Sequence, residues 1–144
     1  MAPVVPEADT EFGARVARRL REDHLAWFTA VDRVGTPQPS PVWFVWNEAS
    51  STALVYSRAD AKRLDHIRAH PQIALHLDGD GQGGDIVVLT GEAEIDPDEP
   101  PAHKNAPYIA KYGELIRSGW PTAEEFASIY SVPIRIRARR VRGH

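Results

Sequence analysis

The sequence predicts a small antiparallel β-barrel with α elements, mainly β in class, and three observations carry that prediction. Six segments have the length and patterning of strands, and most are joined by short turns rich in Gly, Pro, Asp and Asn. The last of them, Val132 to Arg142, alternates with period two: Val132, Ile134, Ile136 and Ala138 inward, Arg135, Arg137 and Arg139 outward. The second, Pro39 to Asn47, is apolar on both faces, with Val42, Phe44 and Trp46 on one and Pro41, Trp43 and Val45 on the other. Such a strand suits a barrel wall that also meets a ligand or a partner subunit.

The elements follow in order. Residues 1–8 contain Pro3 and Pro6 and are expected to form a flexible leader, with residues 9–144 as one domain. Asp9 or Thr10 caps a helix running to about Asp23, whose Phe12, Val16 and Leu20 face the core while Arg15, Arg18, Arg19 and Arg21 face away. His24 to Val31 is the first strand, and Asp32 to Gly35 supplies a turn in which Gly35 tolerates positive φ. Pro37, Pro39 and Pro41 donate no ladder hydrogen bonds, so the second strand begins at an edge or irregularly. Glu48 to Ser51 turns into the third strand, Thr52 to Ser57, and a short amphipathic helix follows with Leu64 and Ile67 at helical spacing. After His70-Pro71, Ile73, Leu75 and Leu77 alternate as the fourth strand. The glycine-rich stretch Asp78 to Gly84 joins it to the fifth, Asp85 to Ile95. Pro107 to Ile116 and Thr122 to Tyr130 are helical, the second opened by Thr122 with Glu125 three residues on.

Composition narrows the function. A chain of 144 residues buries a real core as a single domain. Its net charge of −3 argues against a general binder of nucleic acid or anionic membranes. There is no cysteine, hence no disulfide or thiol chemistry, and no apolar run long enough to span a bilayer. The first seven residues lack the basic region and apolar stretch of a signal peptide, so the expected compartment is the cytoplasm. The six histidines form no metal-binding spacing beyond His66 and His70 at i, i+4, and no metal is expected. The loop from Asp78 lacks the strand–helix context of a nucleotide fingerprint, and Leu89 stands where a calcium loop needs Glu. No G-x-S-x-G motif is present. A chain without a visible catalytic constellation fits an enzyme whose cofactor carries the reactivity.

One stretch concentrates candidate binding chemistry. Ser57 ends a strand, Arg58 to Ala61 form a polar turn, and Lys62 and Arg63 open the short helix, with Asp60 placed to cap it. A hydroxyl facing a lysine point charge and an arginine fork makes an anion pocket; a solvated basic face is the alternative.

The pattern of Pro-Gln-Pro-Ser-Pro-Val-Trp-Phe at 37–44, Tyr-Ser-Arg-Ala-Asp-Ala-Lys-Arg at 56–63, His-Pro at 70–71 and Gly-Glu-Ala at 91–93 resembles the pyridoxamine-phosphate-oxidase-like superfamily. Within it, the chain looks most like the actinobacterial branch that uses the deazaflavin coenzyme F-420. The resemblance implies a six-stranded Greek-key split β-barrel of the FMN-binding type, assembled as a homodimer with two active sites at the subunit interface. It implies that Lys62, with Ser57 and Arg58 or Arg63, holds the cofactor phosphate, that the segment Gln38 to Trp43, with Ser40, Pro41 and Val42, runs along the ring system, and that Tyr56 is also among the cofactor-binding residues. Related sequences often carry Arg where this chain has Asp60. Trp120 and Tyr130 become candidates for the substrate side, and Tyr56 and Tyr130 for a proton donor. The implied activity is hydride transfer between coenzyme F-420 and an electron-poor small-molecule acceptor. The alternatives are an FMN-dependent enzyme and a non-catalytic flavin or tetrapyrrole binder. The arginines 135, 137 and 139 are candidates for the anionic tail of coenzyme F-420.

Overall fold

A computed structural model of the chain describes residues 4–7 and 9–144. Helix α1 (Glu11–Glu22) leads into β1 (Ala26–Val31), β2 (Pro37–Val42), β3 (Val45–Asn47) and β4 (Thr52–Ser57). Then come α2 (Arg63–Ala69), β5 (Gln72–His76), β6 (Val87–Ile95), α3 (Ala106–Gly119), α4 (Ala123–Ile129) and β7 (Val132–Gly143). The strands form one antiparallel sheet in the order β2-β1-β5-β6-β7-β4-β3, curled into a split half-barrel.

The sheet has seven strands where the sequence predicts six. The apolar run 39–47 is cut at Trp43-Phe44, and its halves lie at opposite edges of the sheet. A chain covers at most about 11 Å in three residue steps. The two edges therefore meet at this corner, and the barrel is closed there by covalent continuity. The second apolar face of the run is covered in part within the chain, because Trp43 and Val45 pack beneath α3 and α4, while Pro41 stays exposed.

Several local readings hold. Thr10 caps α1 by accepting from the Gly13 amide at 3.0 Å, and Thr122 caps α4 by accepting from the Glu125 amide at 3.1 Å. Gly35 turns the β1–β2 hairpin at φ +92°. Gly91 sits at a bulge between β6 and β7, where a Cβ would lie 1.9 Å from the Arg137 carbonyl oxygen. Other readings change. Arg15 and Arg19 are half-buried and not turned away: Arg19 donates to the backbone carbonyls of Asp78 and Asp85 and so lashes α1 to the β5–β6 hairpin. Of the expected leader, Val5 packs against the barrel and the Val4 amide reaches Ser51 Oγ, while residues 1–3 and 8 lie outside the described residues.

Two apolar clusters result. One fills the barrel and is largely aliphatic, with Phe28 and Phe44 as its fully buried rings. The other lies outside it, between β3–β4 and α3–α4, around Tyr56, Tyr108, Tyr112 and Phe126.

Candidate functional site

The second cluster opens on one side into a cleft of about 370 Å³ beside the corner. Its volume is in the range of small-molecule sites. One wall is Pro41, Val42 and Trp43, carried there by the end of β2. The rest of the lining is largely aromatic and continues from Trp43: Tyr108 from α3, Phe126 from α4, and Trp120 and Tyr130 from the ends of those helices. Tyr56 forms the floor from β4, and Arg58, Ala61, Arg63 and the half-exposed Leu25 complete the lining.

The aromatic wall is built by contact between rings. Trp43 stacks on Tyr112 with centroids 4.6 Å apart and planes 2° from parallel. Phe126 lies 4.8 Å from Tyr130 and meets Trp120 edge-on at the same centroid distance. Offset and edge-to-face pairs of this kind add about 0.5–1.5 kcal/mol each beyond area burial. Such a wall is stiff, and it offers flat apolar surface to a planar ligand.

The cations at the mouth differ in what they hold. Arg58 is exposed and shares its charge with Asp60, whose carboxylate accepts from Arg58 Nε at 3.1 Å. That contact corrects the capping expectation: Asp60 faces Arg58, and α2 has no side-chain cap. Arg63 is half-buried and donates from Nη2 to Ser40 Oγ at 3.0 Å. Among the described residues no carboxylate lies within 4.0 Å of it. Burial lowers its pKa from the usual arginine value, and Tyr130 works in the opposite direction. A partly desolvated guanidinium without a counter-ion is an incomplete ion pair.

The hydroxyls differ too. Tyr56 Oη donates to the Pro100 carbonyl at 2.6 Å and accepts from Asn105 Nδ2 at 3.0 Å. Burial raises its pKa, with the Asn105 hydrogen bond opposing. Its proton is committed inside the fold. Tyr130 lines the cleft within electrostatic reach of both Arg58 and Arg63.

Of the residues expected from the sequence, Pro41, Val42, Trp43, Tyr56, Arg58, Arg63, Trp120 and Tyr130 line the cleft, and Ser40 touches it through Arg63. Three do not reach it. Gln38 donates to Asp32 within its own hairpin at 3.1 Å. Ser57 is fully buried and donates to the Arg58 carbonyl at 3.1 Å. Lys62 is exposed on the turn before α2. The outward arginines of β7 are already paired: Arg135 with Asp96 and Glu99, Arg137 with Glu94, Arg139 with Glu92. Sequence reasoning missed Leu25, Ala61, Tyr108 and Phe126. The last two were legible as apolar positions of predicted helices but not as parts of a wall.

The model of the pyridoxamine 5'-phosphate oxidase family matches residues 12–144. The chain belongs to that family. No curated protein sequence matches it. Among solved structures, an F-420 reductase is similar at 20% identity and a TM-score of 0.66, over 96% of this chain and 98% of that one. A FAD-binding protein from Mesorhizobium loti matches at 21% identity and a TM-score of 0.63, over 89% and 90% of the two chains. HutZ, the heme storage protein from Vibrio cholerae, matches at 12% identity and a TM-score of 0.61, over 90% and 92%. At these identities the likeness is one of fold alone, the split barrel. No helix among the described residues is long and apolar enough to cross a membrane.

Proposed function

We propose that this family member is a reductase of the actinobacterial coenzyme F-420 branch, acting on an electron-poor small-molecule acceptor in the cytoplasm. The observation that carries the reading is Arg63, a half-buried cation at the mouth of an aromatic cleft with no carboxylate beside it among the described residues. The donor set fits a flavin-like group with an anionic arm. Arg63 grips the arm as a fork, Arg58 contributes what Asp60 leaves it, and Lys62 adds a more distant charge. Pro41 to Trp43 orient the ring system, and Trp120, Phe126 and Tyr130 exclude water.

The charge count favours the deazaflavin over FMN. A terminal phosphate of FMN is close to dianionic and calls for several cations. The phosphodiester of coenzyme F-420 is singly charged, and this mouth offers one unshared arginine. When bound, the deazaflavin supplies a hydride from its ring. Tyr130 Oη is the candidate proton donor, because the Tyr56 proton is held by the Pro100 carbonyl. The homodimer expected for the family would meet through the outer face of β1, β5 and β6, where Thr29, Val31, Ala74 and Thr90 border an open, mostly apolar groove.

Fluorescence titration with coenzyme F-420 and with FMN at matched salt tests the assignment. Micromolar or tighter binding of the deazaflavin, weaker for FMN, is expected. The reverse preference sinks it and leaves the FMN-dependent reading. Likenesses to FAD-binding and heme-storage proteins keep a second outcome in view, namely tight flavin or heme binding without turnover of any acceptor.

A further inference from the structure

The corner that closes the barrel is bolted from outside. Phe44 lies between β2 and β3, and α3 side chains bond its amide and carbonyl. Its N–H donates to Tyr112 Oη at 2.8 Å, and its carbonyl accepts from Lys111 Nζ at 2.8 Å. Tyr112 Oη lies 2.8 Å from the His24 carbonyl and 2.9 Å from the Phe44 carbonyl, with one proton to give. Lys111 supplies the Phe44 carbonyl, which frees that proton for His24. The ammonium also sits 4.0 Å above the Phe44 ring centroid and 5.4 Å from that of Tyr112. Tyr112 in turn is the ring on which Trp43 stacks.

We infer that Lys111 is a positioning residue for the cleft: it pins the corner at Phe44 and so keeps Trp43 stacked on Tyr112 as the ligand-facing wall. Lys111 itself does not touch the cleft. It borders a separate depression with His24, Glu114 and Arg117. A charged hydrogen bond and two ring contacts act together on one carbonyl and one stack, and Trp43 immediately precedes Phe44 in the chain. The pinning of the corner stands without any ligand, whereas its effect on binding rests on the function proposed above.

The ammonium is titratable within an accessible range. Burial lowers the Lys111 pKa from 10.5 to about 8, with Asp23 opposing. His24, Glu114 and Arg117 are the other ionisable groups around it. Neutral lysine keeps an N–H but loses the charge that strengthens the bond and the ring contacts.

The test is near-ultraviolet circular dichroism of the ligand-free protein. The wild-type spectrum minus that of Trp43→Phe isolates the stack. The difference band should weaken in wild type with a midpoint near pH 8, be small at all pH values in Lys111→Met, and persist to pH 9.5 in Lys111→Arg. In titrations at pH 7, Lys111→Met should weaken F-420 binding by about 10-fold, and Lys111→Arg by less than about 3-fold. A wild-type band that is flat from pH 6.5 to 9.5, or a full band in Lys111→Met, overturns the assignment. If the band behaves as expected while wild type binds neither cofactor, the functional reading fails and the role of Lys111 at the corner stands.

Discussion

The barrel core and the aromatic cluster outside it are built from different residues, and the difference separates fold from site. Inside the barrel, Val16, Leu20, Leu75, Leu89, Ile134 and Ile136 are sealed from solvent and carry no polar atoms in their side chains. The outer cluster holds all four tyrosines of the chain, with Trp43, Trp120 and Phe126 among them. Aliphatic side chains pack densely and ask for nothing else. Tyrosines bring a flat apolar body and a hydroxyl that needs a partner. Buried Tyr56 and Tyr112 find theirs in backbone carbonyls, which bolts the cluster to the barrel. The cluster is therefore rigid enough to shape a cleft and apolar enough to line it.

The sharpest way to break the comparison is to damage each region once. Phe28→Ala, at a fully buried ring of the barrel, should cost about 3–5 kcal/mol in urea unfolding. Trp120→Ala, half-buried at the cleft rim, should cost about 1 kcal/mol and act mainly on binding. Equal losses would mean the outer cluster is as much a folding core as the barrel.

The tyrosines sharpen it further. Tyr130→Phe should leave stability within about 0.5 kcal/mol while slowing acceptor reduction about 100-fold in steady-state assays. Tyr56→Phe should do the opposite. It removes the Pro100 carbonyl's donor and leaves Asn105 Nδ2 with Glu99 alone, at about 1–3 kcal/mol, and spares the rate once the protein is folded. A slow Tyr56→Phe enzyme with an active Tyr130→Phe would exchange their roles.

Among the cations, Arg63→Ala should weaken cofactor binding by about 10- to 150-fold, since a charge-assisted contact contributes about 1.5–3 kcal/mol. Lys62→Ala, at an exposed position outside the cleft, should change the dissociation constant by less than about 5-fold, and more at low salt than at high. Isothermal titration at two ionic strengths measures both, and a larger loss for Lys62 would move the phosphate off Arg63.

The smallest effect is a pH dependence of stability, and its sign is fixed by linkage. The folded pKa of Lys111, about 8, lies below the unfolded value of 10.5. Between those values the unfolded chain binds the extra proton, so stability rises with pH across that window. Below pH 8 both states are protonated and the burial penalty is constant. Wild type should therefore gain on Lys111→Met in melting temperature from pH 8 to 9.5. A difference that stays constant would place Lys111 in contact with water.

Much of this was legible without coordinates, because period-two alternation and capping residues act over a few neighbours in the chain. Strand β7, the Thr10 and Thr122 caps and the Gly35 turn follow from such local rules. So did the segments that supply the cleft, 40–43 and 56–63, although the residues within them sorted differently. Whether a side chain reaches a site depends on which neighbour claims it first: Asp32 takes Gln38 and the Arg58 carbonyl takes Ser57, whereas Arg58 still lines the cleft with its charge shared by Asp60. The break at Trp43-Phe44 left no mark in the sequence, where residues 42–46 read as one unbroken apolar run. It exists because α3, more than sixty residues later, delivers Lys111 and Tyr112 to the two peptide groups that flank Phe44. Local patterns determined which segments would be strands and which helices. Only the folded chain decided where the barrel closes, because that depends on hydrogen-bond partners distant in sequence.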